Sequence, residues 1–84
     1  GGMIVINNIV LTGHYKGFDN DYLLLENDWI EKHQIFKVII DNRLKDTISN
    51  NLKNDEAIGI KGYLELDETQ QLVIKATKIT FLSN

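Results

Sequence analysis

The sequence predicts an all-β fold: a five-stranded Greek-key barrel with one short helix between strands 3 and 4. Two observations predict it. In several short segments apolar residues alternate with other residues, which is the period of a strand with one face in a core. In one intervening segment the apolar residues are four apart, at Leu44, Ile48 and Leu52, which is the period of a helix. The predicted order is therefore three strands, one helix and two strands.

The first three predicted strands precede the helix. Residues 4–12 are a β-rich run that ends at Gly13, and residues 17–21 have the composition of a turn. Residues 22–25 form the second strand and residues 35–40 the third. Alternation in the third strand predicts an inner face made of Phe36, Val38 and Ile40.

The helix leads into the fourth strand. Asp41 or Asn42 is a suitable N-cap for the helix, and Asn54 is a suitable residue to end it. Residues 57–66, with the sequence AIGIKGYLEL, alternate as a strand. Its predicted inner face consists of Ile58, Ile60, Leu64 and Leu66.

The fifth strand completes the predicted barrel. Residues 67–70 supply a hairpin loop, and residues 71–82 form the last strand. Ile74 and Ala76 share a face, and a change of phase near Lys78 returns the later apolar residues inward. Phe81 is therefore predicted to lie in the core, as Phe36 is.

Five strands with a helix between the third and fourth is the plan of the OB-fold, a small closed barrel. We predict one such domain over residues 3–84, and Gly1-Gly2 resembles the remnant of a cleaved expression tag. Glycines are expected on strands that coil tightly to close a barrel, which explains Gly59 and Gly62 in the fourth strand.

The composition restricts the function. The net charge of −3 means that no overall positive field indicates a nucleic-acid partner. The chain has no cysteine, hence no disulfide and no thiolate metal site, which favours a cytoplasmic protein. No apolar run approaches the ~20 residues of a membrane span, so no membrane association is predicted.

The sequence contains no pattern that indicates catalysis. His14 and His33 are isolated, which argues against a metal site. The acidic residues between positions 19 and 31 lack the spacing of a paired general acid and base, and no glycine-rich phosphate loop is present. We therefore predict no enzyme activity, no metal and no cofactor.

Three segments resemble the bacterial single-stranded-DNA-binding protein family. NNIVLTG at residues 7–13 is similar to that family's first strand, and residues 36–64 are similar to its third strand, helix and fourth strand. LVIKATKITFL at residues 72–82 matches the closing strand, including Ala76 and the final Phe81-Leu82. The resemblance implies an OB-fold that binds single-stranded DNA, and pairing of subunits through the first strand.

The chain also departs from that family. The loop after strand 4 is a short DETQQ, and Ile35 and Asp41 stand where members usually carry base-stacking aromatic residues. The chain ends at Ser83-Asn84, where most bacterial members continue into a linker with an acidic tip. It resembles a minimal version of the kind that a phage, plasmid or mobile element encodes, and no partner recruitment through such a tip is expected.

The candidate binding residues are lysines and aromatic residues on predicted outer faces. Trp29 matches a family position where a tryptophan stacks on bases; its alternative is to cap one end of the barrel. Pairing Leu64 with Ile74 sets Lys75 opposite Tyr63, and these two are predicted to form one patch with Lys37 and Lys61. The alternative is a solvated sheet face with an ordinary Tyr–Lys contact.

Tyr15 and Lys16 are further candidates, because they follow Gly13 in the predicted loop between strands 1 and 2, where OB-folds often touch ligand. Their alternative is an exposed loop without a ligand. The apolar residues 4–6 would leave an edge that seeks a partner, so we expect a homo-oligomer, a dimer or higher.

The sequence leads to two functional hypotheses. The first is a single-stranded DNA-binding protein with little sequence preference, acting in replication or recombination. The second is an OB-fold adaptor, a subunit of a replication or helicase assembly that binds protein instead of DNA. The lysine patch and Trp29 favour the first, whereas the negative charge, the short loop and the missing aromatic residues favour the second.

Overall fold

The computed structural model describes residues 6–29 and 32–82, and within these ranges all side chains except those of residues 29, 32 and 33. Five strands form a closed barrel in the order β1-β2-β3-β5-β4, and β3 and β5 are the parallel pair. This is the predicted OB-fold topology. The elements are β1 Ile9–Asp19, β2 Tyr22–Trp29, β3 Lys32–Ile39, α1 Asn42–Asn51, β4 Ala57–Leu66 and β5 Leu72–Phe81.

The core of the barrel is built by alternation, as predicted. One face of each strand supplies buried aliphatic side chains, and the fully buried ones on the strands are Leu23, Leu25, Val38, Ile58 and Ile60. Ile48 of α1 is also fully buried, with Leu52 beside it and Leu44 packed against the same cluster. The stripe of apolar residues four apart therefore attaches the helix to the barrel core.

The start of α1 confirms the predicted N-cap. Asp41 has an extended backbone, and its carboxylate accepts a hydrogen bond from the Leu44 N–H at 2.9 Å. The predicted end at Asn54 is wrong, because the helix ends at Asn51. Leu52 turns extended and buries its side chain, while its N–H still donates to the Ile48 carbonyl at 2.8 Å.

Strand β1 is longer than predicted, and the turn predicted over residues 17–21 is confined to residues 20 and 21. The strand passes through Gly13 and continues to Asp19, so that only Asn20 and Asp21 connect it to β2. The register between β1 and β2 is irregular from Tyr15 to Phe18, where β1 holds one residue more than β2. Asn20 has a positive φ of 55°, which asparagine tolerates in a turn.

Strands β2 and β3 also extend beyond the predicted limits. The polar residues after Leu25 remain in β2 and pair with the first residues of β3, from Glu26 opposite Ile35 to Trp29 opposite Lys32. Asn27 contributes a further bond, because its Nδ2 donates to the Thr12 carbonyl at 2.6 Å. This hydrogen bond ties the polar end of β2 to β1, although that end of β2 has no apolar face.

The fourth strand has the predicted limits, and its register with β5 is the predicted one. Tyr63 lies opposite Lys75 and Leu64 opposite Ile74. The predicted inner face is only partly correct, because Leu64 and Leu66 are 40% and 54% exposed. In the described residues the backbone ladder between β1 and β4 ends at Gly62, and beyond it the Asn7 side chain bonds the Leu64 N–H and carbonyl, each at 2.9 Å. The closed part of the barrel therefore ends before these two leucines.

The predicted change of phase in β5 corresponds to a β-bulge, an extra residue in the strand. Lys61 lies opposite Lys78, whereas Gly62 lies opposite Ala76, so Thr77 has no opposite residue. Ile79 then packs against the core, as predicted. Phe81 does not, since it is 42% exposed at the end of the barrel, and the neighbouring Leu82 is exposed as well.

Candidate nucleic-acid interface

The predicted lysine patch lies on three neighbouring strands. Lys37 is exposed on β3, Lys75 is half-buried on β5, and Tyr63 is half-buried on β4. The register sets Lys75 between Ile39 of β3 and Tyr63 of β4. Because β3, β5 and β4 are consecutive in the barrel, the chain brings these side chains to one outer surface.

Lys61 extends this surface along β4. It is exposed and lies two residues before Tyr63, on the same side of the strand. Its opposite residue is Lys78, because the extra residue Thr77 shifts the register of β5. The Thr77 hydroxyl donates to the Lys61 carbonyl at 3.1 Å and so holds the irregularity in place. Lys78 was not among the predicted binding residues.

Tyr22 is an aromatic residue of this surface that the sequence analysis missed. The Lys37 Nζ lies 5.4 Å from the centre of its ring, within the distance of a cation–π contact. The Tyr22 hydroxyl donates to Asp67 Oδ2 at 3.3 Å, and its partial burial, together with the negative charge of Asp67, raises its pKa. The sequence could have predicted this position of Tyr22: Leu23 and Leu25 face inward, and by alternation Tyr22 faces outward.

The hairpin loop between β4 and β5 is ordered by one carboxylate. Asp67 Oδ1 accepts hydrogen bonds from the Thr69 hydroxyl at 2.7 Å, the Thr69 N–H at 2.8 Å and the Gln71 N–H at 3.0 Å. These bonds, that of the Thr69 hydroxyl foremost, lower the pKa of Asp67. Through its bond to Tyr22, the same carboxylate ties the loop to β2.

Tyr15 does not lie in an exposed loop, and that prediction is wrong. It belongs to β1, where it continues the inward alternation of Ile9, Leu11 and Gly13. Its side chain is 8% exposed and packs edge-to-face on Phe18, with ring centres 5.9 Å apart. A base has no access to a ring in this position, so Tyr15 is a core residue.

Lys16 also lies in β1, and its charge is already paired. Its Nζ bonds to the Asp55 carboxylate and lies 3.8 Å from Glu26 Oε1. The bond to Asp55 raises the pKa of Lys16 against the opposing effect of partial desolvation. Lys16 thus fixes the segment before β4 to β1, and its role in ligand binding stays a prediction.

Trp29 is described only in its backbone, which ends β2 and pairs with Lys32. Its side chain lies outside the described part of the structure, and its stacking on bases stays a prediction. The expected self-association was based on residues 4–6. Of these, Ile4 and Val5 lie outside the described residues, as do Ser83 and Asn84, and Ile6 is 77% exposed.

The charges of the described residues are unevenly distributed. Among the described side chains, Lys16 and Lys45 form ion pairs, the second with Asp21 at 3.2 Å. Within the described residues no carboxylate pairs with any of the four lysines of the outer surface, which are Lys37, Lys61, Lys75 and Lys78. The acidic residues of the hairpin, Glu65, Asp67 and Glu68, follow Tyr63 along the chain. A chain of negative net charge therefore carries a local positive band.

Two negative findings concern the part of the chain that is described. No three histidine or acidic side chains there are grouped so that they could hold a metal ion. Helix α1 has 10 residues, and within the described residues no helix is long and apolar enough to cross a membrane.

Comparisons with known proteins identify the architecture. No protein-family model matches the chain, and no curated protein matches it in sequence. Solved structures do match. Two crystal forms of Rim1, a mitochondrial single-stranded DNA binding protein from S. cerevisiae, superpose with TM-scores of 0.74 and 0.78 at 10% and 7% sequence identity. The first alignment covers 92% of this chain and 93% of Rim1, the second 96% and 99%.

A third solved structure is the dimeric N-terminal domain of PriB from Thermoanaerobacter tencongensis. Its TM-score is 0.72 at 20% identity, and the alignment covers 93% of this chain and 98% of that domain. The chain has an OB-fold. At these identities the likeness shows the fold alone, because one architecture serves many functions.

Proposed function

We propose that this chain binds single-stranded DNA with little sequence preference and acts in replication or recombination without catalysing a reaction. The observation that carries the proposal is the positive band of four lysines on neighbouring strands, none of them paired with a carboxylate in the described residues. Tyr63 and Tyr22 lie within this band and offer ring faces between the charges.

The chemistry of the band suits a single strand. Lysines bind phosphates irrespective of sequence, and aromatic rings stack on any base, each stacked base contributing about 1–3 kcal/mol. The band contains no arrangement of asparagine, glutamine or arginine that reads base edges. We therefore propose phosphate contacts by Lys37, Lys61 and Lys75, with base stacking on Tyr63 and on Trp29.

Self-association is part of the proposal. From Ile9 to Thr12 the only strand paired with β1 in the described residues is β4, since its pairing with β2 begins at His14. On the side away from β4 the Thr12 carbonyl accepts a hydrogen bond from the Asn27 side chain, and Val10 is 77% exposed on the outer face of β1. Such an edge is a template for another strand, and a second copy of β1 fits it.

The proposed setting is that of a coating protein of a phage, plasmid or other mobile element, acting in the cytoplasm. Its task there would be to hold DNA single-stranded while other proteins replicate or recombine it.

A protein-binding adaptor is the second candidate function, and one observation favours it. A groove of about 490 Å³ opens between the starts of β3 and β5 and the end of β4. Exposed apolar side chains line it, among them Ile35, Leu64 and Leu72. Such a surface is typical of contact with another protein.

The test is a titration of labelled oligo-dT, followed by fluorescence anisotropy and by the emission of Trp29, at about 50 mM and about 200 mM salt. Three to five phosphate contacts predict a slope of log K against log salt between about −2 and −3.5. Lys75→Ala should reduce that slope by about 0.7, whereas Lys45→Ala, which removes a lysine paired with Asp21, should leave it unchanged. Absence of a complex at the lower salt concentration would favour the adaptor.

A further inference from the structure

The outer side of β1, β4 and β5 carries a second groove, next to the positive band. The register aligns Val10, Lys61 and Lys78 in one row across the three strands. The next row consists of Thr12, Gly59 and Thr80. These six residues, with Ile60 and Leu82, line a groove of about 300 Å³.

The floor of the groove lies at Gly59, which has no side chain. A Cβ atom built at this position would have its nearest neighbours in the side chains of Leu82 and Thr12, at 3.9 Å. The backbone is therefore accessible between two exposed threonines and below two exposed lysines. No carboxylate lines the groove.

The two lysines face each other directly, which is unfavourable in the free protein. Like charges on opposite residues of neighbouring strands destabilise a sheet. The pair exists because the register of β5 shifts at Thr77: in a regular ladder that continued from the Gly62–Ala76 pair, Thr77 would lie opposite Lys61. A local irregularity thus brings together two positive charges that no described carboxylate neutralises.

We propose that this groove binds a phosphate group of the DNA strand, as a second subsite beyond the base-stacking residue Tyr63. The inference rests on the proposed function and adds Lys78, Thr12 and Thr80 to the binding surface. Lys61 and Lys78 hold the phosphate from both sides, and the threonine hydroxyls donate to its oxygens. In this proposal the DNA strand runs from β3 across β5 and β4 and turns toward β1.

A nucleic-acid strand fits this groove better than a second copy of the chain. In a symmetric dimer each surface patch meets its own counterpart, so the lysine pair would meet another lysine pair. A phosphate instead neutralises the repulsion. The subsite is also continuous with the positive band, because Lys61 and Lys78 belong to both.

The test compares Lys78→Ala with Lys53→Ala, which removes one positive charge in the segment after α1. Each variant is titrated with oligo-dT of about 4 and about 16 nucleotides, the limits of the site size of one OB-fold. We expect Lys78→Ala to reduce the salt slope for the long oligonucleotide by about 0.7 and to leave the short one unaffected. Lys53→Ala should resemble the wild type with both.

A second variant separates binding from folding. Lys78→Glu sets opposite charges across the strands, so its melting temperature at low salt should equal or exceed that of the wild type. It should nevertheless bind the long oligonucleotide more weakly than Lys78→Ala does. Weak binding together with a lowered melting temperature would contradict the proposed repulsion.

The remaining outcomes distinguish this inference from the proposed function. If wild type and Lys78→Ala bind the long oligonucleotide with one and the same slope, the subsite is refuted and DNA binding stands. If Lys78→Ala weakens both lengths equally, Lys78 belongs to the first contact surface, and a separate subsite is refuted. If the wild type binds neither length, the proposed function fails and the subsite with it.

Discussion

The ribbon of β4 and β5 has two halves with the same alternation and different surroundings. In the barrel half, residues 57–62 of β4 lie between β1 and β5, and Ile58 and Ile60 are fully buried. In the hairpin half, residues 63–66 have a strand partner on the β5 side alone within the described residues, and Leu64 and Leu66 are exposed. On the other side the Asn7 side chain bonds the Leu64 N–H and carbonyl. The alternation determines which side chains share a face. Burial depends on whether the barrel is closed around that face.

The two glycines of β4 differ in the same way. Gly62, where the barrel half ends, lies so close to β5 that an added Cβ would be 1.9 Å from the Lys75 carbonyl oxygen. Gly59, in the middle of the barrel half, has only ordinary contacts around that position. Gly62 permits a close approach of β4 and β5, whereas Gly59 leaves a groove open.

The largest expected effect follows from Gly62→Ala. The new methyl group meets backbone atoms that cannot rotate away, so β4 and β5 must separate. We expect a loss of up to about 3 kcal/mol in the free energy of unfolding, measured by urea denaturation. Gly62→Ala with wild-type stability would mean that the ribbon is not packed as described.

Tyr63→Ala tests the hairpin half as a binding surface. Removal of the ring should weaken oligo-dT binding by about 1–3 kcal/mol at all salt concentrations, because stacking does not depend on counterions. Tyr63→Phe keeps the ring and serves as the control, and it should bind as the wild type does. A loss confined to low salt would show that the position acts through charge.

Gly59→Ala should have the opposite effect to Gly62→Ala. Alanine restricts the unfolded chain and meets no obstacle here, so we expect a gain of about 0.4–1 kcal/mol in the free energy of unfolding. The measurement is the same urea denaturation. A destabilised variant would show that the floor of the groove is more crowded than its geometry indicates.

The smallest effect concerns the hairpin loop and depends on pH. The pKa of Asp67 is lower in the folded than in the unfolded chain, so its ionised form stabilises the fold above its ordinary pKa of 3.8. This contribution is lost as the pH falls from 3.8 through the folded value.

The melting temperatures of the wild type and Asp67→Asn should therefore differ at neutral pH and converge below pH 3.8. Thr69→Val, which removes one hydroxyl donor to that carboxylate, should reduce the difference from Asp67→Asn at neutral pH. A wild-type advantage that persists unchanged in acid would show that the carboxylate charge is not its source.

Part of the candidate site was predictable because it depends on short-range pairing. The hairpin loop is short, so the register that sets Tyr63 opposite Lys75 follows from the alternation on both sides of it. Alternation along β3 likewise predicts that the Lys37 side chain faces outward. Lys78 and Tyr22 were missed for different reasons: the first is exposed by an extra residue in β5, and the second becomes part of the surface through contacts with Lys37 and Asp67.

The sequence by itself determined the order of the elements, the limits of β4, an N-cap at Asp41 or Asn42 and the helical stripe that covers the core. Each of these depends on residues a few positions apart, which is the range over which alternation and capping act. The tertiary structure alone decided that Tyr15 is buried, that Leu64 and Phe81 are exposed, and that Lys61 faces Lys78. These depend on where neighbouring strands end and on one unpaired residue in β5, and closure of the barrel determines both.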